Sequence, residues 1–159
     1  MGGNNFNGRS RGNAVEVKRT PIELTDENYV SQAEAVILRL IDKYDKENIL
    51  TTSKIRKLLS MISDMYTKAK RLKGSELNSD LVSKVQYLKM HTIYEAGREQ
   101  IKSKAKGEEK KRSVRNFIEE AQLIEKIDNI GSDREKFILF CHYMEALVAY
   151  RKYLVEGDE

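Results

Sequence analysis

The chain has 159 residues, 40% hydrophobic and 34% charged, with a single proline and a formal net charge of +4. That length buries a real core and is most simply one domain. A lone cysteine excludes an internal disulfide, and the longest uncharged apolar run, Phe137 to Met144, is far short of a membrane span, so a cytoplasmic protein is expected.

Residues 1–20 are rich in Gly, Asn and Arg and have no apolar period. They read as a disordered basic N-terminal arm, able to brush nucleic acid through Arg9, Arg11, Lys18 and Arg19. Residues 21–156 then read as a single helical domain. Pro21 ends the arm, and Thr25 or Asp26 caps a first helix running to about Tyr44. Val30, Ala33, Ile37, Leu40 and Tyr44 give that helix its core stripe.

The stretch Leu50 to Gly74 is the centre of the chain. Ile55, Leu58, Leu59, Ile62, Tyr66 and Ala69 recur on one helical face, with Thr51 or Thr52 as the start and Gly74 as the stop. Turning about 100° per residue puts Arg56, Ser60, Ser63, Thr67, Lys70 and Arg71 together on the outer face, flanked by Lys57 and Lys68. Asp64 is the only acid there. An ordinary solvated face also carries Lys and Arg, but it mixes signs to gain i,i+4 pairs. This one does not, and from Arg56 to Arg71 it runs roughly 22 Å, enough to follow several phosphates of a nucleic-acid strand.

Asn78 or Ser79 caps a third helix of roughly Asp80 to Ser103. Leu81, Val85, Leu88 and Ala96 form one apolar stripe, and Tyr87, Met90, Tyr94 and Ile101 a second. Apolar on more than one side, this helix is expected in the middle of a bundle. Lys84, His91, Arg98 and Lys102 leave it a basic strip. Gly97 costs about 1 kcal/mol against Ala inside a helix, which points to another backbone passing close by. Residues 102–113 are a lysine-rich, low-complexity segment that reads as a basic inserted loop, either an RNA contact or a solvated connector.

Ser113 is expected to cap a fourth helix through Ile127, stopped by Gly131. Ser132-Asp-Arg-Glu135 then has the form of a capping box opening a last helix to about Leu154. Phe137, Ile138, Phe140, Cys141, Met144, Leu147 and Val148 make it the staple of the core. Glu145 and Arg151 lie close to that apolar surface and each needs a charged or hydrogen-bonded partner. The fold class is therefore all-α, a compact bundle of about five helices.

Charge is unevenly spread along these elements. Residues 51–75 carry seven Lys/Arg against one acid and residues 84–115 ten against four, whereas residues 116–159 carry five against ten. A basic middle with acidic ends suggests one side that faces a polyanion. Catalysis is not expected. Cys141 and His142 are about 100° apart on a helix and form no dyad, ligand-spaced His, Cys or acid clusters are lacking, and Lys73-Gly74 is no phosphate loop. No cofactor or metal is implied.

Three blocks carry a family likeness: Leu50-Thr-Thr-Ser-Lys-Ile-Arg-Lys57, Tyr94-Glu-Ala-Gly-Arg98 and Phe140-Cys-His-Tyr-Met-Glu-Ala-Leu-Val-Ala-Tyr150. With them the chain resembles, over roughly residues 25–155, the small helical subunit of type III-A CRISPR–Cas effector complexes, the Csm small subunit. The resemblance implies a non-catalytic protein stacking in a few copies along a ribonucleoprotein filament. It would stand beside the backbone subunits that hold the crRNA and next to the large multidomain subunit, lining the groove that receives target RNA. The family's basic positions fall on Lys54, Arg56, Lys57 and Arg98, while helix geometry adds Lys68, Arg71, Lys84 and Lys89 as RNA-binding candidates. One departure is visible: residues 100–113 lie where the family passes almost directly to the next helix. A stripe of cations and hydroxyls without interleaved aromatics reads phosphate and offers bases no platform, so sequence-nonspecific binding is expected. The competing reading is a self-assembling protein–protein adaptor that binds no RNA.

Overall fold

Apolar residues three and four apart recur in every helix, and burying those stripes against one another decides the architecture. The computed structural model describes residues 19–99 and 111–155. Their order is α1 (Tyr29–Tyr44), a 3₁₀ turn (Lys46–Asn48), α2 (Thr52–Arg71), α3 (Ser79–Gly97), α4 (Ser113–Ala121), α5 (Leu123–Ile130) and α6 (Arg134–Leu154). The bundle is all-α, with no strand among the described residues. α6 is its axis, packed mainly on α1 and α2 and also on α5, while α3 lies against α2, α4 and α5. Tyr143, Phe117 and Phe137 are fully buried around this axis, and each such side chain contributes roughly 1.5–3 kcal/mol through the apolar area removed from water.

Several local expectations shift. α1 starts two or three residues later than expected, because Thr25 and Asn28 bond each other reciprocally and form a turn ahead of the helix. Val30 is 45% exposed instead of buried, its place in the core taken by Val36. Thr51 caps α2 as expected, accepting from the Lys54 amide, but α2 ends at Arg71 and Gly74 instead supplies the left-handed turn beyond it at φ 90°.

The fourth predicted helix is two. It breaks at Gln122, whose φ of 54° is left-handed, with no glycine or proline to announce the break. The reason is tertiary. The Gln122 amide accepts from the Ile22 amide and donates to the Thr20 carbonyl, and the Tyr143 hydroxyl takes the Ala121 carbonyl. Gln122 thereby ties the strap of residues 19–24 to the bundle, and Lys126 adds a bond to the Ile22 carbonyl. Arg19 and Thr20, assigned to the arm on sequence, are thus held in place, while residues 1–18 lie outside the described residues.

The last capping box moves by one position. Asp133, not Ser132, caps α6 by accepting from the Lys136 amide, because the Ser132 carbonyl is taken by the Leu77 amide in the α2–α3 loop. Arg134 closes the same junction from the other side, donating to the Ala69 and Lys70 carbonyls at the C-terminus of α2. Arg151 is buried and donates to the Leu50 and Val155 carbonyls, whereas Glu145 is exposed.

Candidate nucleic-acid interface

α2 buries Ile55, Leu58, Ile62, Met65 and Ala69, and so turns Lys54, Arg56, Lys57, Lys68, Lys70 and Arg71 to the surface. Among the described residues Lys54, Arg56 and Arg71 have no ion pair, and the Lys70 ammonium lies 5.9 Å from the Tyr66 ring centre. Two of the three hydroxyls of the same stripe serve the helix instead. Ser60 donates to the Lys57 carbonyl and Thr67 to the Ser63 carbonyl, which spends the protons a phosphate oxygen would need.

α3 meets α2 along a charged seam. Glu95 of α3 accepts from Lys57 of α2 at 3.0 Å and also faces Arg98 at 3.4 Å and His91 at 3.6 Å. Its hydrogen bond from Lys57, together with the charges of Lys57 and Arg98, holds the carboxyl below its usual range against the opposing effect of burial. One carboxylate shared by Lys57 and Arg98 leaves this end of the seam net positive. Lys54, Lys57 and Arg98 also line a common cleft of about 250 Å³ with Leu50, Leu58, Glu95, Glu99 and Val114. At the other end Lys68 and Lys84 come close to each other across the seam, and each ammonium is paired with an aspartate one turn back on its own helix, Asp64 and Asp80.

Two candidates stand apart from this seam. Arg56 leans the other way, toward α6, and lines a groove of about 360 Å³ with Leu59, Ser60, Tyr66, Cys141 and Glu145. Lys89 lies on the far side of α3, where it pairs with Asp128 of α5 at 2.7 Å. It belongs to a different surface from Lys84, since five residues on a helix is about 140° of rotation.

α3 itself overturns one expectation. Its buried stripe is Leu81, Val85, Leu88 and Thr92, and it is not buried all round. Tyr87, Met90, Ile93 and Tyr94 are 55%, 58%, 51% and 61% exposed, because neighbours cover only one side of the helix. The α2–α3 surface therefore does carry aromatics beside its cations, contrary to the sequence reading. α3 also stops at Gly97 rather than near Ser103, and nothing comes within contact of a side chain built at Gly97, so no backbone passes close there. Ile101 and Lys102 lie outside the described residues, as does most of the basic insertion.

Glu99 is a residue the sequence reading missed. Its carboxylate accepts from the Val114 and Arg115 amides and from the Ser113 hydroxyl, so Glu99 caps α4 while Ser113 sits inside the helix. Glu120 was missed as well. It is 2% exposed and meets Arg19, Arg39 and Lys43 at 3.2, 2.9 and 2.9 Å. Burial pushes its carboxyl up, but hydrogen bonds from Lys43, Arg39 and Arg19 outweigh that and hold it below the usual range.

Cys141 is buried, and desolvation pushes its thiol well above the ordinary value, with Glu145 adding to the effect. His142 is enclosed by Tyr29 and Tyr66, at 5.7 and 5.8 Å between ring centres. No group of three His, Cys, Asp or Glu placed to hold a metal occurs among the described residues. None of their helices is long and apolar enough to cross a membrane.

Comparison with known proteins adds a family to this geometry. The family model described as Csm2 Type III-A matches residues 27–156. The "CRISPR system Cms protein Csm2" of Streptococcus thermophilus is 46% identical over 131 residues, covering 82% of this chain and 93% of that protein. Its namesake from Mycobacterium tuberculosis (strain ATCC 25618 / H37Rv) is 34% identical over 138 residues, covering 87% of this chain and 100% of that protein. The one from Enterococcus italicus is 33% identical over 143 residues, 86% and 94% of the two chains.

Proposed function

The chain belongs to the type III-A Csm2 family, and from that premise we propose that it is a non-catalytic small subunit of a type III-A CRISPR–Cas ribonucleoprotein effector that holds the sugar-phosphate backbone of target RNA. Copies of it stack along the filament beside the crRNA-holding backbone subunits and the large multidomain subunit, and contact the guide–target duplex without reading bases. The observation that carries the RNA reading is the exposed face of α2, where Lys54, Arg56 and Arg71 have no ion pair among the described residues and Lys57 and Arg98 meet at Glu95 across the seam. Cations on the surface of a rigid helix attract phosphate whatever the sequence, which suits a subunit serving any guide. The exposed ion pairs of Lys68 and Lys84 do not block this, since such pairs are worth about 0–1 kcal/mol and a phosphate replaces the carboxylate at little cost.

The test is the triple replacement Arg56→Ala, Lys57→Ala and Arg98→Ala in the reconstituted complex. The expected result is an unchanged helical content and assembly, with target RNA released faster and bound at least about tenfold more weakly. Undiminished retention and RNA cleavage by that variant overturn the assignment of these residues to RNA.

A further inference from the structure

Four large apolar side chains in two turns of α3 face water, and they divide into two halves. Met90 and Ile93 point away from α2. Tyr87 and Tyr94 share a face with Lys84, His91 and Arg98, at alternating spacings of three and four residues. The Tyr87 and His91 rings are already stacked, 6.3 Å apart and 15° from parallel, so their faces are presented in one orientation. Cations border this aromatic edge at both ends: Lys84 with Lys68 on one side, Arg98 with Lys57 on the other.

We infer that Tyr87 and Tyr94 form a stacking platform for unpaired bases of a single-stranded nucleic acid whose phosphates lie along the α2–α3 seam. This rests on the RNA-binding reading above and deepens it. Flat rings flanked by ammonium and guanidinium groups match a nucleotide strand, in which each π-face is tied to a phosphate. A purely apolar protein partner would leave that ring of cations without a counterpart. Every base has a π-face, so the platform adds affinity without choosing a sequence. Tyr87 and Tyr94 are two turns apart, about 10 Å along the axis, which is about three base steps at 3.4 Å. They therefore engage bases that are not neighbours.

The experiment compares a short, unstructured, fluorescein-labelled RNA with the same ribose–phosphate strand lacking its bases, by anisotropy with the full-length protein at low salt. The wild type is expected to bind the base-bearing strand at least about tenfold more tightly, stacking being worth about that much per ring. Tyr87→Ala with Tyr94→Ala should bring it down to the abasic level, and the corresponding pair of Phe replacements should retain the preference. Equal binding of both strands by the wild type overturns the platform and leaves phosphate binding standing. Binding of neither strand overturns the RNA-binding reading, and the platform with it. If the Ala pair alters sedimentation of the free protein while the base preference stays intact, the face belongs to a second copy and the platform is overturned.

Discussion

Three cations converge on the carboxylate of Glu120, and that junction ties the strap at Arg19 to α1 and α4. Its folded pKa is lowered, so its contribution to stability is fully present above the unfolded value of about 4.3 and is lost as pH falls through the folded value. Glu120→Gln should cost about 2 kcal/mol at neutral pH, since the hydrogen bonds lose their charge assistance and the cations their counter-ion. The gap between variant and wild type should close as pH drops below 4. Urea unfolding at a series of pH values checks both statements, and a gap independent of pH would mean that Glu120 acts by packing alone. Gly97 makes the opposite case. It has open space around it and no positive φ, so Gly97→Ala should raise stability by up to about 1 kcal/mol, read as a higher urea midpoint with unchanged slope.

At the scale of elements, Glu99 joins the end of α3 to the start of α4 across the inserted residues, supplying acceptors to two amides that would otherwise be orphaned. Glu99→Ala should cost about 1 kcal/mol and speed amide exchange at Val114 and Arg115 ahead of the rest of α4. Uniform exchange along α4 in that variant would rule the cap out. What the sequence revealed and what it hid divide at junctions of this kind. α2 was legible nearly residue by residue, because its cap at Thr51 and its apolar stripe are local signals. The break at Gln122, the cap from Glu99 and the slip of the α6 cap to Asp133 all depend on groups distant in the chain, and no local propensity encodes them. The second stripe of α3 shows a different limit. Periodicity reports that Tyr87, Met90 and Tyr94 share a side of a helix, but not whether another helix covers that side.

The whole molecule presents its cations in two grades, and salt should separate them. Binding to a single strand weakens with salt with a log–log slope of about −0.7 per phosphate neutralised. Lys54, Arg56 and Arg71 bring a full charge to that count, because none has a carboxylate to surrender among the described residues. Lys57 and Arg98 share Glu95, so together they count for less than two. Lys89 faces α5 through Asp128 and counts for nothing on this side. The free subunit should therefore bind single-stranded RNA weakly, with a slope of about −2 to −3, and assembly of several copies on one strand must supply the rest of the affinity. Arg56→Ala should flatten the slope by about 0.7, while Lys89→Ala should leave both slope and affinity where they were. Fluorescence titrations over a range of potassium chloride concentrations read both at once. Equal effects of the two replacements would mean that charge acts only through the net total, with no oriented face on α2.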